Sequence, residues 1–324
     1  MLLAAKLQRS KNPTNSFGRP EVAHVFPPHH KFPLCVICVV FRDNAFSDGL
    51  TPPNPMTLED YLRQTALPKN EARLLAQAAT GWTRGQLVTR DREPLPPAAA
   101  AALAALEQRR LNGEPVAYIL GKREFYGRPF AVSPATLIPR PETEHLVEAA
   151  LARLPPDGRA WDIGTGSGII AVTLACERPD AHLTATDISP AALAVAEQNA
   201  AAHHARVRFA CGSWFDALPA DPPFHLIVSN PPYIEKNDPH LQQGDLRFEP
   251  PSALTDFSDG LSCIRILAQG APARLADGGW LMVEHGYDQG AAAREIFAAA
   301  DLNNIETLPD LAGHERVTIG QKAV

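Results

Sequence analysis

Trp161-Asp162-Ile163-Gly164-Thr165-Gly166-Ser167-Gly168 closes one apolar run and opens another, and its reading decides the fold. Glycines alternating with small polar residues suit a tight turn whose backbone a ligand can approach closely. Upstream, 160–163 reads as a strand; downstream, 168–177 reads as a helix. The alternation continues toward the C-terminus. Strands are expected at 182–186, 207–210, 225–229, 279–284, 304–307 and 316–319, with helices at 190–202, 261–275 and 288–300. Pro190 suits a first helical position behind a Ser189 cap. Such alternation predicts an α/β fold with a mostly parallel sheet covered on both faces, and ligands beyond the carboxyl ends of its strands.

The glycine spacing narrows the ligand. Gly164, Gly166 and Gly168 form GxGxG, and position 169, where the dinucleotide fingerprint needs glycine, is Ile. No Lys-Ser or Lys-Thr follows, so the loop is not a P-loop. Asp187 ends the second strand, where a carboxylate can accept both ribose hydroxyl protons of a nucleoside. Loop and acid together suit an adenosine ligand without a pyrophosphate. Taken alone, the loop has a second, lesser reading as a structural strand–helix turn.

A second motif tips that balance. The buried strand Phe224-His225-Leu226-Ile227-Val228-Ser229 runs into Asn230-Pro231-Pro232-Tyr233. Adjacent prolines cannot continue a central strand, and their rigid extended backbone fixes where the preceding carbonyls point. The Asn230 side-chain oxygen and the Pro231 carbonyl can then converge on one planar NH₂ group. An amide or arylamine nitrogen is a poor nucleophile because its lone pair is delocalised. Two accepted hydrogen bonds stabilise positive charge developing on it and help direct the lone pair at an electrophile. Tyr233 offers an aromatic wall for a flat group and a face for a sulfonium cation.

The two motifs together resemble the S-adenosylmethionine-dependent methyltransferases, in the branch whose NPPY motif methylates planar nitrogens. Within it the chain is most similar to the bacterial protein-(glutamine-N5) methyltransferases of peptide-chain release factors, the HemK/PrmC family. The resemblance runs from Met56 nearly to the C-terminus. It takes in Ile138-Pro139-Arg140-Pro141-Glu142-Thr143-Glu144, the glycine loop, Gly212-Ser213-Trp214, NPPY, the stretch from Asp238 to Pro250, and Glu284-His285-Gly286. It implies a Rossmann-like seven-stranded methyltransferase sheet preceded by a small all-helical domain. It also implies that Gly164, Thr165, Gly166, Ser167 and Gly168 line the methionyl and ribose end of S-adenosyl-L-methionine, with Asp187 on the ribose hydroxyls and Trp214 beside the adenine. Asn230 would touch cofactor and substrate, and Asn230, Pro231, Pro232 and Tyr233 would hold the substrate amide, with Asn230, Pro231 and Tyr233 catalytic. The implied target is the glutamine of the Gly-Gly-Gln tip of class-1 release factors. Arg140, Glu142 and Glu144 shape the mouth of the site or serve only as helix-start charges. No metal is called for. His285 reads as structural, His203 and His204 as helix-terminal cations, and Cys176, Cys211 and Cys263 as small buried residues.

Outward from this core, 124–132 with Gly127 at its centre reads as a hairpin, and 142–154 as a helix. Thr57 caps a first helix carrying Glu59 and Asp60 in its first turn; Asn70 caps a second, through Ala79, that stops at Gly81; Pro96 and Pro97 open a third, from Ala98 to Arg110. The expected domains are a helical docking unit at 56–116, a hairpin linker at 117–135 and a catalytic domain at 136–324. Residues 1–55 differ: they hold eight of the 31 prolines and sustain no apolar period. They read as a disordered extension or an over-long start, and the Cys35/Cys38 pair among them as an apolar-run pair rather than half a zinc site.

Composition bounds the function classes. The 324 residues carry 30 Lys and Arg against 36 Asp and Glu, net −6. Six basic and three acidic side chains fall in 1–55, leaving a body of net −9. That balance argues against gripping long nucleic acid, and so against the adenine-N6 alternative that shares NPPY chemistry. Two further alternatives are a ribosomal-protein glutamine target and a non-catalytic nucleoside-binding module. The longest strongly apolar run, Leu34 to Phe41, has eight residues, too few to span a bilayer. Five cysteines without framework spacing fit a reducing compartment. A cytoplasmic monomer is the expectation.

Overall fold

The structure, a computed structural model, describes residues 55–324. The readings of 1–55 and of Cys35 and Cys38 lie outside the described residues.

Five helices open this part: α1 (Leu58–Gln64), α2 (Lys69–Thr80), α3 (Arg84–Thr89), α4 (Pro97–Leu111) and α5 (Val116–Leu120). Thr57 and Asp60 close a reciprocal capping box on α1, and Gly81 ends α2 in the left-handed conformation that glycine tolerates. Asn70 is not the cap of α2. Pro68 occupies that position, and Asn70 lies inside the first turn. The helices bury their own apolar cluster, including Leu58, Leu75, Trp82, Leu103 and Ile119. Arg110 joins this unit to the rest of the chain, paired with Glu71 at 2.6 Å and with Asp245 at 2.9 Å.

A hairpin follows, β1 (Lys122–Phe125) and β2 (Arg128–Ala131), turned by Tyr126 and Gly127 at φ of 50° and 74°. The remaining elements are α6 (Thr143–Leu151), β3 (Arg159–Ile163), α7 (Ile169–Glu177), β4 (His182–Asp187), α8 (Pro190–Ala202), β5 (Val207–Cys211), β6 (Phe224–Ser229), α9 (Ser262–Gly270), β7 (Leu275–Glu284), α10 (Gly290–Ala299), β8 (Asn303–Pro309) and β9 (Glu315–Gln321). One sheet has the order β5-β4-β3-β6-β7-β9-β8. It is parallel from β5 through β7, and β9 runs antiparallel to both β7 and β8.

Alternation along the central strands explains the two cores. Ala160, Leu226, Val228 and Met282 face a cluster shared with α6, α7 and the hairpin phenylalanines. Their neighbours Trp161, Ile227, Leu281 and Val283 face α9 and α10. A period of two buries both faces at once, as a sheet sandwiched between helices requires. The expected helix over 261–275 ends early: Pro272 lies in a short 3-10 turn at Ala271–Ala273, and Leu275 already begins β7. The cysteine reading also needs correction. Cys263 is buried, whereas Cys176 is partly buried and Cys211, on edge strand β5, is exposed.

From β3 the chain steps outward to β4 and β5, then returns to place β6 on the other side. The crevice between β3 and β6 is therefore a topological switch point, where open α/β sheets bind ligands. The loop after β3 is the glycine loop, and the loop after β6 is NPPY. Ser229 ties the two strand ends together, donating from Oγ to the Ile163 carbonyl at 2.7 Å.

Candidate active site

A cavity of about 360 Å³ lies at that crevice, within the range of small-molecule pockets. Gly164, Thr165, Gly166, Ser167, Asp187, Trp214, Asn230, Pro231 and Pro232 all line it. Gly168 and Tyr233 do not.

The three loop glycines have positive φ for two different reasons. Gly164 and Gly166, at 75° and 55°, would each send a Cβ into open space. Gly168, at 83°, would drive its Cβ to 3.0 Å from the Ala196 Cβ. Gly168 thus lets α7 pack on α8, while the other two keep a bare backbone against the cavity. The loop is anchored from β4: the Gly164 and Thr165 N–H groups both donate to the Thr186 carbonyl at 2.9 Å. Asp187 completes the anchor, accepting from the Gly166 N–H at 2.9 Å through Oδ2 and from the Ser189 N–H at 2.8 Å through Oδ1. Each carboxylate oxygen retains a second lone pair for a ligand hydroxyl.

Beneath the loop, Asp162 is fully buried. Its Oδ2 accepts from the Thr165 hydroxyl at 2.6 Å and the Ala171 N–H at 3.3 Å, while Oδ1 has no partner. Burial pushes its carboxyl up to about 7, against the pull of those two donors and with Asp187 adding to the rise. At the far end, Trp214 takes φ of 43° at the start of a 3-10 turn packed so closely that a Cβ on Gly212 would lie 2.6 Å from the Ala217 Cα.

Across the cavity, the Asn230 Nδ2 donates to the buried Thr143 Oγ1 at 3.1 Å. The nitrogen is thereby turned to a residue outside the cavity lining, and Oδ1 is the end of the amide left for a ligand. Tyr233 is held through its backbone, its carbonyl accepting from the Gln289 Nε2 at 2.9 Å. Burial raises its phenol, with Glu284 adding and Arg316 and Arg140 opposing.

The remaining wall was not legible in the sequence. Leu137, Pro139, Pro250 and Ser252 line it, and Glu249 clamps its two segments together. The Glu249 side chain is fully buried, takes the Ile138 N–H at 2.9 Å and pairs with Arg140. Arg140 is thus part of a clamp. Glu144 accepts from the Tyr126 N–H at 2.9 Å and steadies the hairpin. Neither these two nor Glu142 lines the cavity. The His285 ring nitrogens lie 2.8 Å from the Gly286 carbonyl and the Thr318 hydroxyl, and burial lowers its pKa. His203 caps α8 and reaches the Pro129 carbonyl at 2.8 Å.

Comparisons with known proteins agree with this architecture. The family profile described as PrmC N-terminal domain matches residues 57–121, and that described as methyltransferase small domain matches 142–245. The release factor glutamine methyltransferase of Neisseria gonorrhoeae (strain ATCC 700825 / FA 1090) is 62% identical over 267 residues, covering 82% of this chain and 98% of that protein. This chain belongs to the release factor glutamine methyltransferase family. Further family members of the same name are more distant. That of Bordetella pertussis (strain Tohama I / ATCC BAA-589 / NCTC 13251) is 52% identical over 81% of this chain and 98% of its own. That of Escherichia coli (strain K12) is 44% identical over 80% and 94%. The family is one of S-adenosylmethionine-dependent enzymes, and the residues here fit such a group: a backbone cradle that a Cβ would fill, an acid with free lone pairs at the tip of β4, and an apolar far wall. Among the described residues, no helix is long and apolar enough to cross a membrane.

Proposed function

We propose that this protein transfers the methyl group of S-adenosylmethionine to the side-chain amide nitrogen (N5) of the glutamine in the Gly-Gly-Gln motif of class-1 peptide-chain release factors. One observation carries the reading: the Asn230 amide, at the mouth of the switch-point cavity, has its nitrogen tied to Thr143 and its oxygen left free. An acceptor in that place suits a substrate that brings an NH₂ group.

When bound, S-adenosylmethionine supplies an electrophilic methyl on a sulfonium. The protein's part is to hold and orient. Gly164, Thr165, Gly166 and Ser167 receive the methionyl and ribose end, Asp187 the ribose hydroxyls, and Trp214 the adenine side. Gly168 serves by packing α7 rather than by contact. Asn230 and Pro231 accept the two amide protons, and these bonds strengthen as positive charge grows on nitrogen. The methylated nitrogen is acidic while positive, so water or a neighbouring acceptor suffices to take its proton. Pro232 contributes apolar wall, and Tyr233 backs the motif from outside the cavity lining. The helical unit, expected at 56–116 and extended by α5 to Leu120, docks the protein partner; the hairpin of β1 and β2 links, and 136–324 performs transfer. The Arg110 to Asp245 pair supports that division, since Asp245 lies just before the Glu249 clamp.

Incubation with labelled S-adenosylmethionine and, in turn, release factor, ribosomal protein and DNA tests the proposal, with the methyl located by mass spectrometry. Label is expected on the release-factor glutamine alone. Label on DNA or on ribosomal protein, or on nothing, would replace it with the corresponding alternative.

A further inference from the structure

Two segments line no part of the cavity: Pro141-Glu142-Thr143-Glu144 and Glu284-His285-Gly286. They meet behind Asn230. Thr143 and Glu284 are 0% and 1% exposed, and neither lines the cavity. The Asn230 Nδ2 donates to the Thr143 Oγ1 at 3.1 Å. The Glu284 carboxyl lies beside both, where the Thr143 hydroxyl and the Asn230 amide favour its charged form, and its Oε2 is buried without a hydrogen-bond partner.

The polarity of this chain follows from its inventory of protons. Once ionised, the Glu284 carboxylate only accepts, and a hydroxyl carries a single proton. With that proton directed at Glu284, Thr143 is left to accept from Asn230. The Asn230 NH₂ is therefore drawn inward, and the carbonyl oxygen is what the cavity sees. We infer that Glu284 and Thr143 are positioning residues that lock the Asn230 amide with its oxygen outward, and that this lock makes the site select a primary carboxamide over a carboxylate. A glutamine and a glutamate side chain have nearly the same shape, so hydrogen-bond direction and charge must separate them. An outward acceptor receives the amide NH₂ and opposes a carboxylate oxygen; a freely flipping Asn230 would serve both. Glu284 is suited to the task because it is buried: no water competes for the Thr143 proton.

The inference rests on the proposed amide transfer, and its test separates the two. Thr143→Val keeps the shape and removes the hydroxyl. Relative to wild type, kcat for the release factor should fall about 10- to 100-fold, with cofactor Kd within a few-fold. A release factor whose target glutamine is replaced by glutamate should inhibit that variant more tightly than it inhibits wild type. Thr143→Ser should restore kcat to within a few-fold. Should Thr143→Val fail to fold, Glu284→Met, which fills the space and removes the acceptor, provides the second variant and should show the same loss of kcat. Wild-type kcat and undiminished rejection of the glutamate form in either folded variant would overturn the lock. A readout without turnover is the exchange of the Asn230 side-chain amide protons by NMR, assigned by their loss in Asn230→Ala. They should be protected in wild type and exchange faster in Thr143→Val. Free exchange in wild type would overturn the lock even if the release factor is methylated. Protected protons in an enzyme that methylates no release factor would keep the lock and remove the proposed substrate.

Discussion

The two walls of the cavity are held in different ways. The glycine-loop wall is a local construction. Most of its anchors fall between Asp162 and Ser189 and are backbone groups: the Thr186 carbonyl, the Gly166 and Ser189 N–H groups, and the bare Gly164 and Gly166; from α8, Asn199 adds a bond from its Nδ2 to the Ser167 carbonyl at 2.8 Å. The facing wall is assembled from buried side chains that meet over long separations. Asn230 finds Thr143 across 87 residues, and Ile138 finds Glu249 across 111. A ligand common to many reactions needs only a shaped backbone. A choice among planar nitrogens needs side-chain donors and acceptors in fixed directions, and packing must supply them.

If that division holds, changes on the two walls affect different quantities. The largest effect belongs to Asn230→Ala. Losing an acceptor aimed at developing charge should lower turnover by about 10²–10³-fold, while cofactor Kd stays within a few-fold by calorimetry. A large rise in Kd with little change in turnover would move Asn230 to the other wall. Glu249→Ala comes next. Removing a fully buried carboxylate that holds Arg140 and the Ile138 N–H should cost about 3 kcal/mol of stability, read by urea unfolding. A loss below about 1 kcal/mol would show that the two segments hold together without the clamp.

The contrast also explains which parts were legible in the sequence. The strands and the two motifs could be read because each signal lies within one contiguous stretch: an apolar run, a glycine spacing, an Asn-Pro-Pro turn. Ser189 and Thr57 were readable as caps because capping is an affair of four residues. Asn70 misled because the cap rule favours its residue type, whereas Pro68 sets the extended backbone two positions earlier. The run to Leu275 misled because the reading carried the helix through Pro272, which breaks it into a short 3-10 turn before β7 begins. Thr143, Glu249 and Glu284 were each inside a quoted segment. Their work depends on partners that only the folded sheet brings near. Tyr233 shows the converse: its aromatic ring suggested a wall, and the chain beyond Pro232 leaves the cavity lining.

Within the glycine loop, a paired substitution sharpens the comparison further. Gly168→Ala places a methyl against Ala196 at positive φ, and should lower stability by about 2 kcal/mol while leaving the cofactor Kd of the folded protein little changed. Gly166→Ala meets no protein atom within 4 Å, so beyond the strain of its own φ of 55° it should act on binding, raising Kd about 10-fold, or about 1.4 kcal/mol. Equal effects of the two on Kd would mean that all three glycines face the ligand alike.

The smallest effect tests the base of the same wall. Burial pushes Asp162 up to about 7 in the folded protein, with Asp187 adding to the rise, whereas in the unfolded chain an aspartate titrates near 4. The folded state therefore binds a proton that the unfolded state has released, so this group's contribution to stability is complete below about pH 4 and is lost as pH rises toward 7. Glu284, also pushed up to about 7 by burial, tilts the curve in the same direction. Asp162→Asn keeps the shape and cannot ionise. Its Oδ1 can receive the Thr165 and Ala171 donors, and its NH₂ replaces the oxygen that has no partner. Without cofactor, the variant should gain on wild type by about 1–2 kcal/mol between pH 5.5 and 7, then run parallel above about pH 8. Unfolding curves that stay parallel throughout that range would mean Asp162 keeps its charge in the fold, and the loop would then rest on a buried anion.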